Sequence, residues 1–128
     1  HDLNRGDLIV FHKPENAAGD VEDLVKRVIA LPGETLEIRE GNVYIDGQLL
    51  TEPYLKEPQS TMLSGSIPPG CAAPTSGTAC TVPEGMAFVM GDNRINSTDS
   101  RIFGPIDQDL IVGRAFLRVY PFNEIGRL

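Results

Sequence analysis

Hydrophobic and polar positions alternate along this chain in short runs, and the period is that of strands. Asp7 to Phe11 (DLIVF) is a continuous apolar run with β-branched residues, which predicts a buried strand. Asp23 to Leu31 (DLVKRVIAL) predicts a second, closed by Pro32-Gly33. Thr35 to Ile38 alternates, and Asn42 to Ile45 alternates again across Glu40-Gly41-Asn42. Asp46-Gly47 then signals a type I′ hairpin leading into Gln48-Leu49-Leu50. Gly85 to Met90 predicts another strand, entering a polar loop from Gly91 to Gly104. A last strand is predicted from Leu110 to Tyr120, with Val112, Arg114, Phe116, Arg118 and Tyr120 alternating against Ile111, Ala115, Leu117 and Val119. Residues 51–81 read as a poorly regular insertion with one hairpin. No stretch supports a helix of three turns, and there is no internal repeat.

Composition narrows the class. The 128 residues suit one domain; 41% are hydrophobic and 23% charged, which is ordinary for a globular chain. Thirteen glycines, ten prolines and few aromatics fit many strands joined by tight turns. A net charge of −7 argues against a nucleic-acid partner, because phosphate binding needs a basic face. No apolar run approaches the roughly 18 residues that span a bilayer, and no signal peptide is visible. The chain opens directly on a strand-forming run, which we read as a boundary within a longer protein.

Three features could carry chemistry. Lys26 interrupts an apolar strand beside Arg27, and adjacent strand residues point to opposite faces. A buried lysine loses its charge readily and can then act as a general base. The plainer reading is an edge lysine whose ammonium reaches water. The loop Gly91-Asp92-Asn93-Arg94-Ile95-Asn96-Ser97-Thr98-Asp99-Ser100-Arg101 concentrates Asx residues and alternating charges. Asp99 could pair with Arg101, and Asp92 with Arg94 or Arg27; Ser97 could hydrogen-bond a lysine amine. A structural loop held by Asx turns and surface ion pairs would look the same. Cys71 and Cys80 are either free thiols or a disulfide closing a short loop. No metal site is expected, since two cysteines supply half a ligand set and both histidines lie far away in sequence.

Taken in order, RGDLIVF, VKRVIALPGE and GDNRINSTDSR resemble the conserved blocks of type I signal peptidases (leader peptidases) that follow the nucleophile block. The NVYIDGQLL hairpin and the closing LIVGRAFLRVYPF strand are also similar to that family. The resemblance implies an all-β fold of coiled, mostly antiparallel sheets with a small hairpin insertion. Residues 1–36 and 82–128 would form the catalytic core and residues 37–81 the insertion. It implies a serine endopeptidase in the parent protein that cleaves signal peptides from exported preproteins with a Ser/Lys dyad. Lys26 matches the general base and Arg27 its structural neighbour. Ser97 matches the serine that orients the amine, and Asp99 and Arg101 an ion pair beneath the site. Asp92 and Arg94 match the start of the same block. Asp23, Leu24 and Val25 match the strand that pairs with extended substrate; Val10 and Val25 would line its shallow pockets.

The family sits on the outer face of the cytoplasmic membrane, held by an N-terminal span that this chain lacks. That placement implies a Cys71–Cys80 disulfide. No cofactor is implied. Ile95 departs from the family's usual polar residue. The nucleophile block, of the form S-G-S-M-x-P, precedes RGDLIVF in the family, and this chain begins after it, so the fragment should be inactive. Ser64-Gly65-Ser66-Ile67-Pro68-Pro69 spells a similar string after Lys26, and we read Ser66 as turn chemistry. Without a preceding strand, an apolar groove should lie exposed beside residues 23–26, open to a dimer partner. Three alternatives remain: a catalytically dead relative used for binding or assembly, a self-cleaving repressor of the Ser/Lys class, and a plain structural β-domain.

Overall fold

The computed structural model describes residues 3–57, 59–63, 68–72 and 77–114. They form β1 (Leu8–His12), β2 (Asp23–Ala30), β3 (Thr35–Arg39), β4 (Asn42–Ile45), β5 (Gln48–Leu49), β6 (Ala79–Thr81), β7 (Met86–Met90), α1 (Ser100–Phe103), β8 (Ile106–Asp107) and β9 (Ile111–Arg114). The fold is all-β, in two antiparallel sheets. One runs β8-β7-β2-β1-β9 and the other β5-β4-β3-β6.

Turn chemistry sets the second sheet. Glu40 and Gly41 have φ of 52° and 80°, and Asp46 and Gly47 have 50° and 84°. Two consecutive positive φ values make a type I′ turn, whose twist matches that of the flanking strands. Each turn therefore locks a register, Arg39 opposite Asn42 and Ile45 opposite Gln48.

Two cores result. Ile29, Ala30, Leu36, Ile38, Val43, Ile45, Phe88 and Met90 pack between the sheets. Ile9, Phe11, Val28, Ala87, Val89, Phe103 and Ile106 pack on the other face of the five-stranded sheet. A bulge at Val28/Ala30 turns both Ile29 and Ala30 toward the first core.

Three expectations need adjusting. Residues 51–81 are not merely irregular: β6 lies there and pairs with β3, Leu36 opposite Cys80. Ala-Cys-Thr is too short for periodicity to reveal, and its partner strand decides its state. The loop expected from Gly91 to Gly104 contains the one-turn α1, capped by the Asp99 side chain. Leu110 belongs to a 3-10 turn (Gln108–Leu110) rather than the last strand. Residues 115–120 of that strand, and Ser64 and Ser66, lie outside the described residues. The division at residues 36 and 82 falls inside β3 and just past β6.

The chain after β5 returns along the Gly91–Gly104 loop. A side chain on Gly104, at φ 87°, would place its Cβ 2.0 Å from the Pro69 carbonyl oxygen, so no larger residue fits. Cys71 and Cys80 form a disulfide with a Cα–Cα distance of 5.2 Å, and Ala72 bridges to Thr81 beside it.

Candidate active site

β2 carries the site on both faces. Lys26 is opposite Ile9 in the β1–β2 register and only 4% exposed. Its Nζ donates to Ser97 Oγ at 3.0 Å. Burial pushes the amine below its ordinary range. The Asp99 carboxylate pulls it back up, the Arg101 guanidinium pushes it down, and Asp92 pulls it up. An amine donates through its N–H groups, so the bond to Ser97 does not itself use the lone pair that a base needs.

Arg27 points the other way and is 5% exposed. It grips Asp92 with two bonds, Nε to Oδ1 at 2.9 Å and Nη2 to Oδ2 at 2.7 Å. Nη1 donates to the Gly6 carbonyl at 2.8 Å, and the guanidinium lies 4.3 Å from the Tyr54 ring centroid. This choice settles the open pairing of Asp92.

Arg94 takes a different acid. It pairs with Glu52, and donates to Thr61 Oγ1 at 3.0 Å and to the Gly91 carbonyl at 2.7 Å. Asp99, fully buried, accepts from Gly91 N at 3.0 Å, Arg101 Nε at 2.9 Å and Arg101 Nη2 at 2.7 Å. Ser100 Oγ accepts from Val89 N at 2.9 Å and ties the loop to β7. Every buried side-chain nitrogen and oxygen among the described residues has a partner. Ile95, the departure from the family pattern, is 78% exposed.

The other candidates are placed as follows. Val10 and Val25 are cross-strand partners. Alternation puts them on the face opposite Lys26 and Ile9. Leu24 shares the face of Lys26, and Asp23 pairs with His12 at 2.7 Å. Toward β7, the ladder of β2 starts at Arg27 opposite Met90. Among the described residues, Asp23–Lys26 therefore have a ladder partner only on the β1 side.

Glu52, Tyr54, Gln59 and Thr61 were not legible as site residues. Nothing local distinguishes Glu52 from other surface acids. The one signal was arithmetic: with Arg27 holding Asp92 and Arg101 holding Asp99, a buried Arg94 needs a carboxylate from elsewhere.

Comparison with known proteins bears on the family. The family model for signal peptidase, peptidase S26, matches residues 1–120. A probable signal peptidase I-1 of Synechocystis sp. is 43% identical over 132 residues, covering 100% of this chain and 60% of that protein. Signal peptidase IB of Staphylococcus aureus is 37% identical over 126 residues, covering 95% and 63%. The solved structure of a signal peptidase I from Enterococcus faecalis V583 superposes with a TM-score of 0.68 at 36% identity, covering 91% of this chain and 98% of that one. The chain thus spans about three fifths of the length of these two curated relatives. With the ordered blocks, the two antiparallel sheets and the match over nearly its whole length in accord, the chain belongs to the signal peptidase family, peptidase S26.

Proposed function

We propose that this chain is the extracytoplasmic catalytic domain of a type I signal peptidase, with Lys26 as general base of a Ser/Lys dyad. The observation that carries the reading is the buried Lys26 amine, 3.0 Å from Ser97 Oγ and pushed toward its neutral form. In this reading a serine from a segment preceding the chain attacks the scissile carbonyl, and Lys26 takes its proton. The lysine then protonates the leaving amine, and water releases the acyl group in a second, similar step. Ser97 aims the amine. Arg27, Asp92, Asp99 and Arg101 hold the strand and loop that carry it.

Substrate lies extended beside Asp23, Leu24 and Val25, where β2 has no ladder partner toward β7 among the described residues. Val10 and Val25 contribute to the small-residue pockets. Residues 1–36 and 82–128 serve as the catalytic core, and 37–81 as an insertion. The partners are signal peptides of exported preproteins. The whole protein is held at the outer face of the cytoplasmic membrane by an N-terminal span, a compartment that suits the disulfide. In this reading the edge of β2 at residues 23–26, which has no ladder partner toward β7 among the described residues, pairs with a second copy.

The test is preprotein cleavage by the full-length protein carrying Lys26→Ala. Cleavage should fall by about 10²–10⁴-fold, the usual worth of a positioned base. Unchanged cleavage would remove Lys26 from the chemistry.

A further inference from the structure

Ser97 stands on an unusually bare piece of chain. Ile95, Asn96 and Thr98 around it are all exposed. The turn before it is closed by long contacts, Asn96 N to Asn93 O and to Asn93 Oδ1, both 3.3 Å. Packing against neighbours therefore does little to place Ser97; its position is set by the anchors at either end of the span. The anchor after it is Asp99, buried and accepting from Gly91 N and Arg101.

The anchor before it is the main chain of Asp92 to Arg94, and one side chain zips it. Gln59 Nε2 donates to the Asp92 carbonyl at 2.7 Å, and Gln59 Oε1 accepts from Arg94 N at 2.9 Å. A single amide thus uses its donor and its acceptor on two residues of one loop, as a strand partner would. Arg101 Nη1 donates to the Arg94 carbonyl at 2.8 Å, linking this anchor to the second.

We infer that Gln59 is a positioning residue for the peptidase site: it fixes Ser97, and through Ser97 the Lys26 amine, from a segment outside the strand and loop that carry them. The inference rests on the reading of Lys26 as a base. It separates Gln59 from Glu52, which also braces the loop. Removing Glu52 would strand the buried Arg94 charge and disturb the whole fold. Removing a neutral amide leaves no buried charge behind. Among the described residues the Gln59 amide bonds the main chain of the loop at Asp92 and Arg94, so its effect on Lys26 travels through the loop.

The experiment reads the Lys26 amine directly, by NMR titration of the side-chain resonances in this chain. There are three lysines, Lys13, Lys26 and Lys56, so assignment is tractable. Gln59→Met removes both hydrogen bonds at nearly constant volume. Its Lys26 titration should move up, toward the ordinary lysine value, by roughly half a unit or more. Gln59→Asn keeps the amide one methylene short; it should move Lys26 the same way by less, and it serves if Gln59→Met does not fold. In the full-length enzyme, kcat should fall with KM unchanged. A merely structural role would lower the thermal midpoint and leave the Lys26 titration where it was; that result in a folded variant overturns the inference. Failure of the underlying reading looks different: Lys26 would then titrate as an ordinary lysine in the unsubstituted chain. If it titrates low there and Gln59→Met does not move it, only the role of Gln59 falls.

Discussion

On one face of β2 the buried Lys26 amine meets the hydroxyl of Ser97. On the other face Arg27 meets the Asp92 carboxylate, a backbone carbonyl and the Tyr54 ring. The two cations are adjacent in sequence and about equally buried. One has its amine on the Ser97 hydroxyl, and burial drives it toward neutrality. The other is held by a bidentate acid and keeps a charge it could not shed in any case. Burial alone therefore does not make a base. What matters is the group at the end of each side chain and the chemistry of the side chain itself: a hydroxyl beside an amine that can deprotonate on one face, a bidentate carboxylate beside a guanidinium on the other.

The largest test of this contrast is Lys26→Arg in the full-length protein. It keeps a cation on the Lys26 face but one that does not deprotonate, so cleavage should fall about 10²–10⁴-fold, as far as with alanine. Substantial activity would show that charge rather than basicity matters there. Next is Asp92→Ala, which leaves Arg27 buried without its acid. Denaturant unfolding should show a loss of about 3 kcal/mol. A loss well under 1 kcal/mol would mean that the Arg27 face is more wet than its burial suggests. Ser97→Ala removes one hydrogen bond from the amine, and kcat/KM should drop roughly tenfold with little change in stability.

The smallest effect is on stability against pH. Folded Lys26 holds its proton more weakly than the unfolded side chain, whose value is near 10.5. Between the two values the unfolded chain binds more protons, so stability rises with pH across that window. Lys26→Met should therefore be the more stable protein at neutral pH, and its advantage should shrink as pH climbs toward 10.5. Parallel unfolding curves at neutral and alkaline pH would check this; a constant gap would contradict it.

The strands of the five-stranded sheet's centre were legible because their apolar runs are long and their turns carry glycine or proline. The β3–β4–β5 meander was legible because Asp46-Gly47 allows little else. β6 and β8 were not, since two or three residues carry no period and their partners choose for them. In the site, Lys26, Arg27 and the polar loop stood out locally, as charge inside an apolar strand and as a cluster of Asx residues. Glu52, Gln59 and Thr61 did not. They sit in a stretch whose composition reads as loop, and their role depends on where that stretch is laid down.

By itself, the amino-acid sequence determined the alternation that sends Lys26 and Arg27 to opposite faces, the two-residue turns that set register, and the three ordered blocks that carry the family likeness. These are local properties, decided by backbone sterics and side-chain type. Only the tertiary structure decided which acid each arginine would take, that Cys71 meets Cys80, and that Lys26 is shut away beside Ser97. Those outcomes depend on contacts between residues far apart in the chain, and on how much water the packed sheets leave around a charge.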